Sequence, residues 1–430
     1  MRRSFMPVRA AREDLDRIQL QGLKWTVEHA YNHSSFYWER LKQAGVSPEQ
    51  IRTLDDLHRL PCLTAQDLQD DYPFPLRSVP FEKIRRIHAS SGTTGKRKVL
   101  SYTRKDLDDW ANMFARCYEM AGLSREDRVQ IAVGYGLWTA GVGFQLGCER
   151  FGATAIPIGP ANTEIHCQML VDMQSTVFCS TASMALLIAE EIERRDIQKQ
   201  VALKKIIFGA ERHSKRMRQR VQEITGAEEL FDIPGLTELY GPGVGLECTA
   251  HEGIHYWADY YILEILDPET LDPVPPGEIG EMVVTSLRKE AAPLIRYRTR
   301  DLTRFIAEPC PCGNLLPRHD HLLGRSDDMF IFRAVNIYPG QIDHVLSQIP
   351  YVGSEYQVHL YHRDDGRDVM LLKVERIYGE SPYSDREVTE LIVSEIRSRI
   401  MVRPKVELVD YGTLPRTERK SKRVFDERTN

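Results

Sequence analysis

The chain has 430 residues, 42% hydrophobic and 28% charged, which is the composition of a soluble globular protein with ample material for a large buried core. Its 57 basic and 62 acidic side chains are well mixed and leave a formal net charge of −5, which excludes the basic stripe of a nucleic-acid binder. No window approaches the roughly 18 apolar residues of a bilayer span, and Met1 to Asp16 lacks an apolar signal core, so no membrane partner is expected. Five of the eight cysteines (Cys62, Cys117, Cys148, Cys167, Cys179) sit singly in apolar or helical contexts, which predicts reduced thiols and a cytoplasmic location.

In chain order, Leu20, Leu23, Val27 and Ala30 carry helical spacing through Ala11 to Gly45, with Gly22 as the weak point. Thr64 and Asp67 form a capping box at a second helix start. From Ile84 to Ile265, short β-branched runs (Val129–Val133, Ala153–Ile158, Thr176–Cys179, Lys205–Phe208) alternate with amphipathic stretches, the pattern of an α/β fold with a mainly parallel sheet. Tyr260 to Phe305 changes to strands joined by tight turns at Asp267-Pro268 and Pro275-Pro276-Gly277, which predicts a β subdomain. Beyond Asp327 and Asp328 the pattern restarts, with helices over Pro339–Gln348 and Asp385–Ile400 and strands near Tyr356–Tyr361, Val369–Val374 and Lys405–Val409. The expected organisation is therefore a large N-terminal domain, 1–327, and a small α+β C-terminal domain, 328–430.

Ser90-Ser91-Gly92-Thr93-Thr94-Gly95-Lys96 follows a predicted strand, Ile84 to His88, and offers hydroxyls, amides and glycines to phosphate oxygens. Two residues separate Gly92 from Gly95, so the Walker spacing fails, and a plain hairpin loop is the bland alternative. Further on come Phe208-Gly209-Ala210-Glu211, Gly235-Leu236-Thr237-Glu238, Arg296-Tyr297-Arg298-Thr299-Arg300-Asp301 and Gly324-Arg325-Ser326-Asp327-Asp328. Together, in this order, these segments resemble the acyl-adenylate-forming superfamily. Ile87-His88-Ala89 leading into the loop resembles its phenylacetate–CoA ligase branch in particular.

The resemblance implies that ATP, Mg²⁺ and coenzyme A act on a carboxylic acid, giving an acyl-adenylate and then a thioester. It implies nucleotide contacts from Ser90 to Lys96, from Gly209, Ala210, Glu211 and Asp232, from Asp301 to the ribose hydroxyls, and from Arg325. Glu238 would hold Mg²⁺, a hard cation suited to carboxylate and phosphate oxygens. By the same resemblance Thr237, Glu238 and Lys420 would take the catalytic roles, with Lys422 as the fallback for Lys420 if the register slips. The C-terminal domain would be mobile, turning about Asp327. Tyr135 and Trp138 lie where that branch lines an aryl pocket, although aromatics among glycines are more often core packing. Pro234 stands where the family carries a tyrosine that stacks on adenine, and Arg419 stands where a glycine precedes the lysine. The resemblance leaves a homodimer open.

Cys310-Pro311-Cys312 is a tight C-x-C turn, and Cys248 and His255 lie some sixty residues earlier. Three cysteines and one histidine make a closed structural zinc set, with His251 as the competing nitrogen and free thiols as the alternative. Competing functions remain open at this stage. The acceptor could be a carrier-protein phosphopantetheine or a deazaflavin, or the chain could be an idle nucleotide-binding protein.

Overall fold

The N-terminal helical stretch folds as two helices, α1 (Arg12–His33) and α2 (Ser35–Gln43), and the break falls at Ser34 rather than at Gly22. Gly22 stays helical because α1 packs tightly on Leu287, where a Cβ at position 22 would approach the Leu287 Cβ to 2.6 Å. The expected cap is present at α3 (Ala65–Asp70). The Thr64 hydroxyl accepts from the Asp67 amide, and the Asp67 carboxylate accepts from the Thr64 amide at 2.7 Å. The computed structural model describes residues 4–7, 12–90, 96–211, 213, 215–333, 335–349, 351–362, 368–377, 379, 381–415 and 423–428.

The chain continues through β1 (Ile84–Ala89), β2 (Val99–Thr103), α4 (Arg104–Met120), β3 (Arg128–Ile131), α5 (Ala140–Phe151), β4 (Thr154–Ile156), α6 (Thr163–Asp172), β5 (Val177–Thr181), α7 (Ala182–Arg194), β6 (Lys205–Gly209), α8 (Lys215–Thr225) and β7 (Glu229–Ile233). Strands β4-β3-β5-β6-β7 form one parallel sheet in that order. Alternate residues of its strands enter different cores. Val177, Cys179, Ile207 and Phe231 pack with α4 and α5, whereas Phe178, Ile206, Phe208 and Leu230 pack with α7 and α8. This period-two division explains why these strands read as continuous apolar runs, since both faces are covered. A parallel sheet collects the loops after its strands at one edge, where open α/β folds bind ligands.

A two-stranded hairpin and two four-stranded antiparallel sheets follow. They are built from β8 (Gly235–Leu236), β9 (Gly241–Pro242), β10 (Gly245–Glu247), β11 (Ile254–Tyr256), β12 (Tyr261–Leu266), β13 (Gly280–Ser286), β14 (Tyr297–Thr303), β15 (Phe305–Ile306), β16 (Arg318–His319) and β17 (Gly324–Arg325), where β8 and β9 pair with each other. The two four-stranded sheets have the orders β10-β11-β16-β15 and β12-β13-β14-β17. The remainder comprises β18 (Phe330–Phe332), β19 (Val335–Ile337), α9 (Pro339–Ser347), β20 (Val352–His362), β21 (Asp368–Arg376), α10 (Asp385–Ile400), β22 (Lys405–Val409) and β23 (Val424–Asp426). It forms a mixed sheet, β22-β21-β20-β23, over a core of its own that includes Phe330, Ile342, Val358, Leu372 and Ile392. Arg216 donates to the Val352 carbonyl and Tyr411 to the Glu190 carboxylate, which ties this unit to the parallel-sheet unit. Among the described residues, no helix is long and apolar enough to cross a membrane.

Candidate functional site

At the C-terminal edge of the parallel sheet, β7 runs through Pro234 into a tight β8–β9 hairpin whose turn carries Thr237 and Glu238. Leu239 and Tyr240 donate to the Leu236 carbonyl at 3.0 and 3.2 Å, which closes the turn. Glu238 is buried, with 3% of its surface exposed. Its Oε1 accepts from the Tyr297 hydroxyl at 3.0 Å and pairs with the Lys98 ammonium. Burial alone would push the carboxyl up, but Lys98 and the hydrogen bonds outweigh it and hold the group below its ordinary value. The site therefore presents a buried, ionised carboxylate.

Lys98 stands at the mouth of the Ser90–Lys96 loop. Ser90 donates its amide to the Lys98 carbonyl at 3.0 Å, and the Lys98 amide returns to the Ser90 hydroxyl at 3.3 Å, closing the loop base between the antiparallel strands β1 and β2. Ser91, Gly92, Thr93, Thr94 and Gly95 lie outside the described residues, as do Lys420 and Lys422. Lys96 is exposed, with its ammonium 5.6 Å from the Tyr72 ring centroid. The end of β1 is tied to the segment holding the two aromatic candidates, because the Ala89 amide donates to the Leu137 carbonyl at 2.8 Å and His88 Nδ1 lies 3.1 Å from it. Tyr135 and Trp138 thus sit beside the start of the loop. Their rings press on Gly134, Gly141 and Gly159, where an added Cβ would approach them to 3.0, 2.6 and 3.2 Å.

Gly209 ends β6 against β7 so closely that a Cβ would fall 2.1 Å from the Ile233 carbonyl oxygen, and Ala210 follows with φ +67°. Glu211 accepts from the Ser183 amide at 3.0 Å and from its hydroxyl, while its Oε1 is buried without a hydrogen-bond partner among the described residues. Burial pushes this carboxyl up. Asp232 Oδ2 lies 4.0 Å from both His213 Nε2 and His321 Nε2. Behind it the buried Glu247 accepts from the Asp232 amide at 2.9 Å, from His321 at 3.2 Å and from both arms of the Arg218 guanidinium at 3.0 and 2.7 Å.

Across the cleft, Asp301 and Arg325 face each other on β14 and β17 with 3.4 Å between Oδ1 and Nη1. The same guanidinium donates to both oxygens of Asp327 at 2.8 Å, which joins the ribose, arginine and hinge candidates in one chain of charges. Pro234, Gly235, Leu236, Asp301, His319 and Leu322 line a single cleft, so the turn and the Asp301 strand meet. Two other arginines of this stretch pair with buried or nearly buried carboxylates. Arg296 forks onto Glu264 at 3.1 and 3.0 Å, and Arg298 onto the fully buried Glu281 at 2.9 and 2.7 Å.

Cys248, His255, Cys310 and Cys312 converge, with their four ligand atoms all within 4.8 Å of one another. Cys248 Sγ lies 3.5 Å from Cys310 Sγ, and Cys312 Sγ lies 3.4 Å from His255 Nε2. His255 is fully buried and its Nδ1 lies 2.8 Å from the Leu316 carbonyl, so Nδ1 carries the proton and Nε2 keeps its lone pair toward the sulfurs, the tautomer a metal needs. The donor set fits a closed tetrahedral site. His251 is engaged elsewhere, on Glu229 at 2.7 Å and Glu247 at 3.4 Å.

Sequence reading missed Lys98, Tyr297, Tyr102 and Lys289. Lys98 was within reach, two residues past Lys96, but only the fold shows that it meets a carboxylate 140 residues away. Lys289 sits in Arg288-Lys289-Glu290, which reads as a solvated charge run, yet it is 0% exposed.

Comparison with known proteins gives the family. The model described as "AMP-binding enzyme" matches residues 38–287, and that described as "AMP-binding enzyme C-terminal domain" matches 334–428. Phenylacetate-coenzyme A ligase of Escherichia coli (strain K12) is 40% identical over 423 residues, covering 97% of this chain and 96% of that protein. Phenylacetate-coenzyme A ligase of Thermus thermophilus is 39% identical over 433 residues, covering 96% of this chain and 97% of that protein. Among solved structures, 2-hydroxyisobutyryl-CoA ligase in its postadenylation state with a bound acyl-AMP superimposes with a TM-score of 0.87 at 28% identity, covering 99% of this chain and 91% of that one. The same ligase in its thioesterification state, with CoA, gives 0.71 at 29% identity, again covering 99% and 91%. By sequence along nearly its whole length and by fold, the chain belongs to the AMP-binding enzyme family, in its phenylacetate–coenzyme A ligase branch.

Proposed function

We propose that this protein joins an aryl or arylacetic acid, phenylacetate first among them, to coenzyme A at the expense of ATP, releasing AMP and pyrophosphate. The observation that carries this reading is the convergence of the Glu238 turn, the Asp301–Arg325 pair and the base of the Ser90 loop at one edge of the parallel sheet. In the first step the acid's carboxylate, already a nucleophile, attacks the α-phosphorus, the acyl–phosphate bond forms and pyrophosphate leaves. No general base is required, so catalysis rests on alignment and charge neutralisation. In the second step the thiol attacks the acyl carbon, the thioester forms and AMP leaves.

Glu238, held ionised by Lys98 and Tyr297, would hold Mg²⁺, which supplies charge neutralisation on the phosphate chain. Asp301 would accept from the ribose hydroxyls, and Asp232 and the Gly209–Glu211 segment would border the base. Tyr135 and Trp138 would wall the aryl group, and Lys420 would meet charge developing on the acid and α-phosphate. We read 1–327 as the adenylation core and 328–430 as a lid turning about Asp327. The separate C-terminal core and the two states of 2-hydroxyisobutyryl-CoA ligase support that division. Cys248, His255, Cys310 and Cys312 would hold a structural zinc. The test is pyrophosphate exchange over a panel of aryl and arylacetic acids, with mass spectrometry of the product formed with CoA. Phenylacetate-dependent exchange and an acyl-CoA product are expected, and no exchange with any acid refutes the reading.

A further inference from the structure

Beneath the Glu238 turn lies a lysine sealed from water. Lys289 is 0% exposed, its Nζ donates to the Glu238 carbonyl at 2.7 Å, and it stands 4.8 and 5.2 Å from the ring centroids of Tyr102 and Tyr240. Tyr102, equally buried, sends its hydroxyl toward the carbonyls of Thr237 at 3.2 Å and Tyr240 at 3.3 Å. Three carbonyls of a four-residue turn thus rest on two side-chain donors. The segment carrying Lys289 is itself anchored, because the Glu290 and Ala291 amides donate to the buried Asp106 at 2.7 and 3.0 Å.

A buried lysine is an expensive way to fill this space, since a methionine of similar length avoids desolvating the amine. What the amine adds is a directed hydrogen bond to one peptide group, made whether or not it is protonated, since burial lowers its pKa from 10.5 to about 7. That group belongs to the residue whose carboxylate is held by Lys98 and Tyr297. Mg²⁺ demands near-octahedral oxygens at about 2.0–2.1 Å, so slack of a few tenths of an ångström in the turn is felt directly.

We propose that Lys289 and Tyr102 are positioning residues that clamp the turn and set the Glu238 carboxylate where it would hold the Mg²⁺ that accompanies ATP. This rests on the reading of Glu238 as the Mg²⁺ carboxylate. The test measures ATP binding by calorimetry, first in EDTA and then across a Mg²⁺ titration, for the wild type, Lys289→Met, Tyr102→Phe and Glu238→Gln. The Mg²⁺ concentration for half-maximal enhancement rises about tenfold in Lys289→Met and about threefold in Tyr102→Phe, from the loss of hydrogen bonds to one turn. ATP affinity in EDTA stays at the wild-type value in both. Wild-type Mg²⁺ dependence in both folded variants, or an equal loss of affinity with and without Mg²⁺, overturns the proposal. If Lys289→Met does not fold, Tyr102→Phe decides by the same readout. Glu238→Gln keeps the two readings apart. An intact Mg²⁺ response in that variant removes the role of Glu238 itself, whereas a lost response there beside normal responses at 289 and 102 removes only the clamp.

Discussion

Replacing Cys310 by serine tests the four-ligand cluster most directly. In a zinc tetrahedron with Zn–S near 2.3 Å and Zn–N near 2.0–2.1 Å, sulfurs stand about 3.8 Å apart and sulfur and nitrogen about 3.6 Å. The separations of 3.5 Å between Cys248 and Cys310 and 3.4 Å between Cys312 and His255 lie close to those values. The ion would tie the strand region of Cys248 and His255 to the 310–312 turn across spans of 62 and 57 residues. Treated as a crosslink, a loop of that length contributes about 4 kcal/mol through the unfolded chain. At roughly 2–4 °C per kcal/mol for a large domain, the melting temperature should fall by about 10 °C. Elemental analysis of chelator-free protein should find about one zinc per chain in the wild type and little in Cys310→Ser. Pyrophosphate exchange at 25 °C should change by less than about threefold, since the cluster serves stability before chemistry. His251→Ala should keep its metal. A metal-free wild type, or a Cys310→Ser variant that melts with the wild type, would refute the reasoning.

Three further outcomes follow. Lys420→Ala should lower pyrophosphate exchange by about 10²–10³ while CoA thiolysis of a supplied acyl-adenylate persists, because a positioned charge acts on the adenylation transition state; equal loss in both halves would move the role to Lys422 or to folding. Pro234→Tyr, in the cleft beside Asp301, should lower the KM for ATP roughly two- to twelvefold through aromatic overlap with kcat little changed; a fall in kcat instead would show that proline sets the Glu238 turn. For His321, burial opposes the charged form, but Asp320, Glu247 and Asp232 raise its pKa from 6.5 to about 10. A raised folded pKa contributes stability that is fully present below pH 6.5 and lost as pH rises through about 10, so His321→Gln should weaken the protein at neutral pH and flatten the fall of its melting temperature between about pH 6.5 and 10. Parallel pH profiles for the wild type and His321→Gln would contradict that.

Much of the candidate site was legible because its parts are contiguous. Glu238, Asp301, Arg325 and Asp327 each sit in a short run whose residue types state a chemistry, and each lands at the cleft or beside it. The Cys310–Cys312 turn and the Cys248–His255 pair could be matched because thiols and imidazoles have few other reasons to gather. What remained hidden were the partners. A carboxylate's acidity depends on what surrounds it, and Lys98, Tyr297 and Lys289 come from three other segments.

The division has a physical basis. Local sequence by itself determined the elements whose energetics are local. The Thr64 capping box, the helix over Asp385–Ile400 and the strand over Lys405–Val409 lie where periodicity and caps place them. Tertiary structure decided whatever depends on close approach between distant segments. It kept Gly22 inside a helix because Leu287 lies 2.6 Å from where a Cβ would stand, and it chose His255 over His251 as the ring facing the sulfurs. It turned Lys289 from an apparent surface charge into a fully buried donor under the Glu238 turn. Burial and hydrogen bonding are properties of the packed neighbourhood, and residues far apart in the chain supply that neighbourhood only once the sheets have closed over them.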